Sequence, residues 1–220
     1  MSSLPPTAAV LLAGGTSTRM GGATPKPFLQ LRGKRIVDYS LEIFSQLPYV
    51  IEICIVCPEE YRESFPHFVT FAQPGQRRQD SVLNGIKALK QKPALVAIHD
   101  TARPLITHDL VERTISHAAQ TGGAIAAVPV KTTIKRAAHN QQIEETPERS
   151  LLWEAQTPQV FLYESLIQAY EAPINHTYDA VDDASLVERI GLPVALVMGC
   201  YKNIKLTTPE DLTIAHHFIG

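Results

Sequence analysis

Ala8-Ala9-Val10-Leu11-Leu12-Ala13-Gly14-Gly15-Thr16-Ser17-Thr18-Arg19-Met20-Gly21-Gly22, with Pro25-Lys26-Pro27 just beyond, is the stretch around which the chain is organised. The apolar run 8–12 reads as a buried strand that passes directly into a loop of small residues. Glycines let backbone N–H groups turn toward an anion and approach it closely, and Arg19 and Lys26 add full positive charge where a polyphosphate would lie. Taken alone, the glycines fit an ordinary solvated strand-to-helix connection. Joined to a preceding strand and two cations, they point to a phosphate cradle.

A chain of 220 residues, 45% of them hydrophobic, suits a single domain, 1–220, with a substantial core. The net charge of -2 argues against a general nucleic-acid or membrane-surface binder, so any positive charge that matters is local to a site. No apolar run reaches the length of a membrane span, and residues 1–7 lack the pattern of a secretion signal; the expected location is cytoplasmic. An odd number of cysteines, 3, gives no disulfide framework. Cys54 and Cys57 form a C-x-x-C inside a predicted strand, where side chains three residues apart point to opposite faces and cannot share a metal.

Outward from the opening loop, Ile36, Tyr39, Ser40, Ile43, Phe44 and Leu47 recur at helical spacing. The run 51–57 predicts a strand, 59–65 a helical turn and 68–72 a short strand. Gln73-Pro74-Gly75-Gln76-Arg77-Arg78-Gln79-Asp80-Ser81 is a second cationic glycine turn, leading into a helix with Val82, Leu83, Ile86 and Leu89 on its apolar face. Leu95-Val96-Ala97-Ile98 reads as a buried strand ending on His99-Asp100-Thr101-Ala102-Arg103-Pro104, and Thr107 as the cap of the next helix. A further strand follows at 124–130. This alternation is that of a three-layer α/β domain, a parallel sheet with helices on both faces.

At 131–148 the alternation breaks. Thr132-Thr133-Ile134-Lys135-Arg136 and Gln142-Ile143-Glu144-Glu145 flank a turn and predict an exposed hairpin, too polar to hold itself together without a support. It is either a surface loop or an arm that embraces a second subunit. The chain returns through Leu151-Leu152-Trp153-Glu154-Ala155-Gln156-Thr157-Pro158-Gln159-Val160-Phe161 to a helix near 162–170, a helix over 182–190 and a strand over 194–198. Thr208-Pro209-Glu210-Asp211 then opens the last helix with a capping hydroxyl, a first-turn proline and acids at its positive end.

Ligands of open parallel sheets bind beyond the carboxyl ends of the strands. Residues 13–26, 75–81 and 100–103 all fall there. One acid, Asp100, among several cations suits a nucleotide polyphosphate carrying a divalent metal such as Mg²⁺, with Asp100 a candidate ligand. There is no G-x-x-x-x-G-K-[ST] and no G-x-G-x-x-G, which sets aside P-loop NTPases and Rossmann dehydrogenases.

Ala13-Gly14-Gly15 with Arg19-Met20 and Pro25-Lys26 resembles the signature of nucleotidyltransferases that activate sugar phosphates and polyol phosphates. Gly75 through Val82, His99 through Pro104, Pro129 through Arg136, Leu152-Trp153, Thr157-Pro158-Gln159, Asn203-Ile204-Lys205 and Pro209-Glu210-Asp211-Leu212 follow in order, and the chain resembles the methylerythritol phosphate cytidylyltransferases nearly end to end. That resemblance implies a Rossmann-like nucleotidyltransferase fold, mostly parallel, with a protruding hairpin arm at 131–150. It implies transfer of a cytidylyl group from CTP to 2-C-methyl-D-erythritol 4-phosphate with release of pyrophosphate, in the non-mevalonate isoprenoid pathway.

By position in the matched motifs, Arg19 and Lys26 would stabilise the α-phosphate in the transition state, with Mg²⁺ bridging the triphosphate. Backbone groups of Ala13, Gly14, Gly15 and Gly75, with the Ser81 hydroxyl, would read the cytosine. Lys205 and Arg149 would hold the acceptor phosphate, and Asp100, Arg103 and Thr133 the hydroxyl-bearing end. The resemblance also implies a homodimer in which Thr133 and Arg149 serve the neighbour's site. Two positions depart from the family: Ser17 replaces a common Gly, and Asp182 a usual Thr, where an anion would repel phosphate. Ala13-Gly14-Gly15-Thr16 and Gln156-Thr157-Pro158-Gln159 also suit a ribitol 5-phosphate cytidylyltransferase, whereas Trp153 and Ala102-Arg103-Pro104 favour methylerythritol phosphate. A non-catalytic nucleotide sensor is the rival from another class, and it would gain little from cations that favour a transition state.

Overall fold

The computed structural model describes residues 4–15 and 25–219. Its opening strand β1 (Thr7–Leu12) is followed, beyond the opening loop, by a small hairpin of β2 (Gln30–Leu31) and β3 (Lys34–Arg35) and by helix α1 (Ile36–Ser45). Then come β4 (Val50–Val56), β5 (Thr70–Ala72), α2 (Arg78–Lys87), β6 (Leu95–Asp100), α3 (His108–Thr121) and β7 (Gly123–Pro129). The arm carries β8 (Arg136–Ala137) and β9 (Ile143–Glu145), and the chain closes with β10 (Trp153–Leu162), α4 (Tyr163–Glu171), α5 (Pro173–His176), α6 (Asp183–Arg189), β11 (Ala195–Met198) and α7 (Pro209–Phe218).

The main sheet has seven strands in the order β11-β7-β10-β6-β1-β4-β5. β1 pairs in parallel with β4 and β6, and only β10 runs antiparallel to its neighbours, so the sheet is mostly parallel as expected. Strands buried on both faces send alternate side chains into separate cores. Ala9 and Leu11 of β1 join Leu41 and Phe44 of α1 and Val111 and Ile115 of α3 on one face. Val10 joins Val82 and Ile86 of α2, Leu166 of α4 and Leu186 of α6 on the other. Cys57 lies in the first core and Cys54 in the second, as their spacing on a strand requires.

Strand β10 is, with the small β2–β3 hairpin and α5, an element that periodicity does not predict. Pro158 and the polar Gln156, Thr157 and Gln159 make the segment read as irregular, yet it fills the space between β6 and β7. The register slips between Ala155 and Gln159, a bulge that accommodates a proline whose missing N–H would otherwise break a central ladder. The exposed hairpin forms, but its strands are shorter than the sequence suggests, because its first strand begins only at Arg136. No described helix is long and apolar enough to cross a membrane.

Candidate active site

The chain runs from β1 to β4 and β5 on one side of the sheet, and β6 lies on the other side of β1. This reversal opens a crevice at the carboxyl ends of β1 and β6, the place where such sheets bind ligands. Register sets Leu12 beside Asp100 there. A cavity of about 360 Å³ occupies the crevice, lined from the first loop by Gly14, Gly15, Lys26 and Pro27. Gly75, Gln76, Arg77, Arg78 and Ser81 line it from the second loop and the start of α2; Asp100 and Ala102 from the end of β6; and Lys205 and Thr207 from the segment before α7. Among the described lining residues Lys26, Arg77, Arg78 and Lys205 stand against one acid, Asp100, which gives a locally cationic cleft on a chain that is weakly acidic overall, an arrangement that attracts anions.

Close packing shapes the walls. A Cβ on Gly14 would fall 2.5 Å from Cγ of Pro74, and one on Gly75 would fall 2.4 Å from Cβ of Asp80. Only glycine lets the first and second loops approach each other and the start of α2 this closely. The Gly75 N–H donates to Oγ of Ser81 at 2.9 Å, and that hydroxyl donates to the Arg77 carbonyl, so Ser81 closes the turn it lines. The backbone N–H of Arg77 donates to Oδ2 of Asp80 at 3.0 Å, which satisfies a free donor at the start of α2. Lys26 donates to the Leu206 carbonyl at 2.6 Å, and the Leu206 N–H to the Ala102 carbonyl at 2.8 Å, which fastens the first loop, the 205–207 segment and the end of β6 together.

Charges at the floor form an alternating chain. Lys205 Nζ lies 2.7 Å from Oδ2 of Asp100, and Arg78 Nε lies 3.2 Å from Oδ1 of the same carboxylate. The far side of the Arg78 guanidinium reaches Oδ2 of Asp183 at 2.8 Å. Burial by itself would raise the pKa of Asp100, but Arg78 and then Lys205 overcome it and hold the carboxyl well below the usual carboxylate range. Burial likewise opposes the charge on Arg78, and Asp183 and Asp100 outweigh it. Beneath Asp100, His99 is fully buried, and burial pushes its imidazole down to about 3.

The cleft brings together Gly14, Gly15, Lys26, Gly75, Ser81, Asp100 and Lys205 from the sequence reading. Ala13 lies beneath the wall, fully buried, with its N–H donated to the Val56 carbonyl at 2.9 Å. Arg103 turns toward the carbonyls of Asn203 at 2.7 Å and Ala155 at 3.3 Å, and Ala102 lines the cleft in its place. Thr133 and Arg149 are exposed on the arm, away from this chain's own cleft; Arg149 donates to the Lys131 carbonyl at 3.0 Å. Arg19 and Ser17 lie outside the described residues. Asp182 caps α6, accepting from the Ser185 N–H at 3.0 Å and from Gln159 Nε2 at 2.9 Å, which gives the anion at this position a structural task.

Sequence reasoning passed over Arg78, which reads there as one more cation in a basic turn. Its doubled carboxylate contacts come from residues 22 and 105 positions away, and no local signal announces them. As for metals, no three His, Cys, Asp or Glu side chains gather among the described residues, and both oxygens of Asp100 already accept from cations. The described side chains form no metal cage of their own.

The model of the family described as IspD, 2-C-methyl-D-erythritol 4-phosphate cytidylyltransferase, matches residues 7–220. A protein of that name from Alkaliphilus oremlandii is 38% identical over 229 residues, covering 100% of this chain and 97% of the relative. One from Caldanaerobacter subterraneus is 41% identical over 221 residues, with 96% and 97% covered. Among solved structures, 2-C-methyl-D-erythritol 4-phosphate cytidylyltransferase from Thermus thermophilus superposes with a TM-score of 0.79 at 31% identity, covering 96% of this chain and 97% of that one. The 4-diphosphocytidyl-2C-methyl-D-erythritol synthase from Anaerococcus prevotii gives 0.85 at 26% identity, with 97% of each chain covered. With its mostly parallel sheet, its cationic cleft at the β1/β6 reversal and a match that spans nearly its whole length, this chain belongs to the 2-C-methyl-D-erythritol 4-phosphate cytidylyltransferase family.

Proposed function

We propose that the protein transfers the cytidylyl group of CTP to the phosphate of 2-C-methyl-D-erythritol 4-phosphate, releasing pyrophosphate. The carrying observation is the cleft in which Lys26, Arg78 and Lys205 converge at the carboxyl ends of β1 and β6. An acceptor phosphate oxygen forms a bond to the α-phosphorus as the bond from that phosphorus to the pyrophosphate oxygen breaks. A phosphate monoester is largely dianionic near neutral pH, so the nucleophile needs no base to activate it. What the reaction needs is two anions held in line and the charge on the α-phosphate and the leaving group neutralised.

In this reading Gly14, Gly15 and Gly75 hold the nucleotide, and Lys26, with Arg19, stabilises the α-phosphate. Lys205 meets the acceptor phosphate from a position fixed by Asp100. A divalent cation, Mg²⁺ above all, would be held mainly by the triphosphate and would neutralise part of the phosphate charge. The arm supports a homodimer: Ile134, Ile143 and Leu151 are exposed apolar side chains on it, and in this reading Thr133 and Arg149, exposed on the same arm, would serve a neighbour's cleft. Cys54, Cys57 and Cys200 are all free thiols, which supports a reducing, cytoplasmic setting.

The test is pyrophosphate release with CTP and either 2-C-methyl-D-erythritol 4-phosphate or ribitol 5-phosphate. Turnover with the first and little with the second is expected. Preference for ribitol 5-phosphate would move the assignment to that substrate, and no release with either would refute catalysis.

A further inference from the structure

Asp183, the first residue of α6, is a carboxylate with no solvent exposure. Its Oδ2 receives Nη1 of Arg78 at 2.8 Å and its Oδ1 receives the Tyr170 hydroxyl at 2.7 Å. The Asp183 N–H donates to Oε1 of Gln159 at 3.0 Å, so the residue is fixed from its backbone as well as from its side chain. Taking an ion pair out of water costs several kcal/mol per ion, and an apolar replacement of similar size would serve packing as well or better. Burial of this charge therefore needs a reason beyond stability, and among the described residues its ion pair, with Arg78, leads to the cleft.

That contact is Arg78, whose guanidinium is held between two carboxylates. Asp183, outside the cavity lining, takes Nη1, and Asp100, on the cleft side, takes Nε, leaving Oδ2 of Asp100 for Lys205 at 2.7 Å. Without the Asp183 charge, Arg78 has a single carboxylate left. The preferred geometry of a guanidinium on one carboxylate is the two-bond fork, which would turn Arg78 onto both oxygens of Asp100 and make it compete with Lys205 for Oδ2.

We propose that Asp183 is a positioning residue for cytidylyl transfer: through Arg78 and Asp100 it fixes the ammonium of Lys205 where the acceptor's phosphate is met. This rests on the reading of Lys205 given above. Asp183 lies outside the described lining of the cavity, so its influence travels through a chain of alternating charges.

The test combines steady-state kinetics, with CTP and the acceptor varied separately, with thermal unfolding of Asp183→Asn, Lys205→Met and the double variant. Asp183→Asn is expected to raise the acceptor KM about tenfold, the order of one hydrogen bond to a charged group, and to change the CTP KM less than twofold. In the Lys205→Met background the same substitution should add less than a twofold penalty, since the group it positions is gone. Penalties that multiply in the double variant, or a loss shared equally between the two substrates, would overturn the proposal. If Lys205→Met alone leaves the acceptor KM unchanged, the reading of Lys205 fails, and the proposal fails with it. A normal acceptor KM in Asp183→Asn beside a raised one in Lys205→Met removes only the role of Asp183. Should Asp183→Asn fail to fold, Tyr170→Phe takes its place. It removes one hydrogen bond to Oδ1, keeps the ion pair, and should raise the acceptor KM two- to threefold only when Lys205 is present; an unchanged KM refutes the positioning role.

Discussion

Acidification from pH 7 to pH 5 is expected to cost the folded protein about 2 kcal/mol through His99 alone. The ring is fully buried in β6, with Nδ1 2.9 Å from Oγ1 of Thr157 and Nε2 3.3 Å from the Arg103 carbonyl. Oγ1 of Thr157 accepts from the Asp100 N–H at 3.1 Å, so its own proton is available to Nδ1, and the Nε2 proton goes to Arg103. This assigns the neutral tautomer protonated at Nε2. Burial lowers the pKa to about 3; Asp100 opposes that shift and Arg103 adds to it. In the unfolded chain the group titrates near its ordinary value of about 6.5. A depressed histidine contributes its full stability above the unfolded value and loses it as the pH falls toward the folded one. At pH 5 the gap is about 1.5 units, each worth about 1.4 kcal/mol, which gives the figure above. Carboxylates with ordinary values near 4 have barely begun to titrate at this pH, so the window isolates histidine. Urea unfolding of wild type and His99→Gln at both pH values measures it, with m-values checked for constancy. The wild type should lose about 2 kcal/mol more than the variant between pH 7 and pH 5. Equal losses in the two proteins would refute the reasoning.

Gly14→Ala would place a methyl 2.5 Å from a proline ring that cannot swing aside, so the cleft wall must shift. The CTP KM should rise by about tenfold with the acceptor KM little changed, and an unaltered CTP KM would show that this wall does not hold the nucleotide. Lys26→Ala should lower kcat by on the order of 10²-fold with a smaller effect on CTP binding; turnover like that of wild type would remove Lys26 from the chemistry. Deleting 137–145 should give a monomer without activity, read by light scattering and pyrophosphate release, and an active monomer would refute a site completed by a neighbour's arm.

The strands and helices were legible because their signals are local. Val10 and Leu11 go to opposite cores by the two-residue period of a strand, and the glycines and cations of the first two loops stand next to the strands that position them. The site was legible to the same extent: Lys26, Gly75, Asp100 and Lys205 sit in recognisable segments, and the topology of a parallel sheet gathers those segments at one edge. Strand β10 was hidden, since Pro158 and its polar neighbours give no strand period. Its place is set by the gap between β6 and β7 and by the ladder partners it finds there. Asp182 reads in sequence as an anion where phosphate is expected, and only its bond to the Ser185 N–H reveals a helix cap.

What sequence alone determined, therefore, is the element order and the chemical character of the cleft, because periodicity and turn chemistry act between near neighbours. What tertiary structure decided is which charges meet. Arg78 and Asp183 are 105 residues apart, and neither carries a mark of the other. Their pairing exists because the packing of α2 and α6 on one face of the sheet brings a buried carboxylate against a half-buried guanidinium, each compensating the other's charge. The loop from Ala13 to Lys26 announces a phosphate site, but the charge chain that sets Lys205 on its far side exists only in the folded protein.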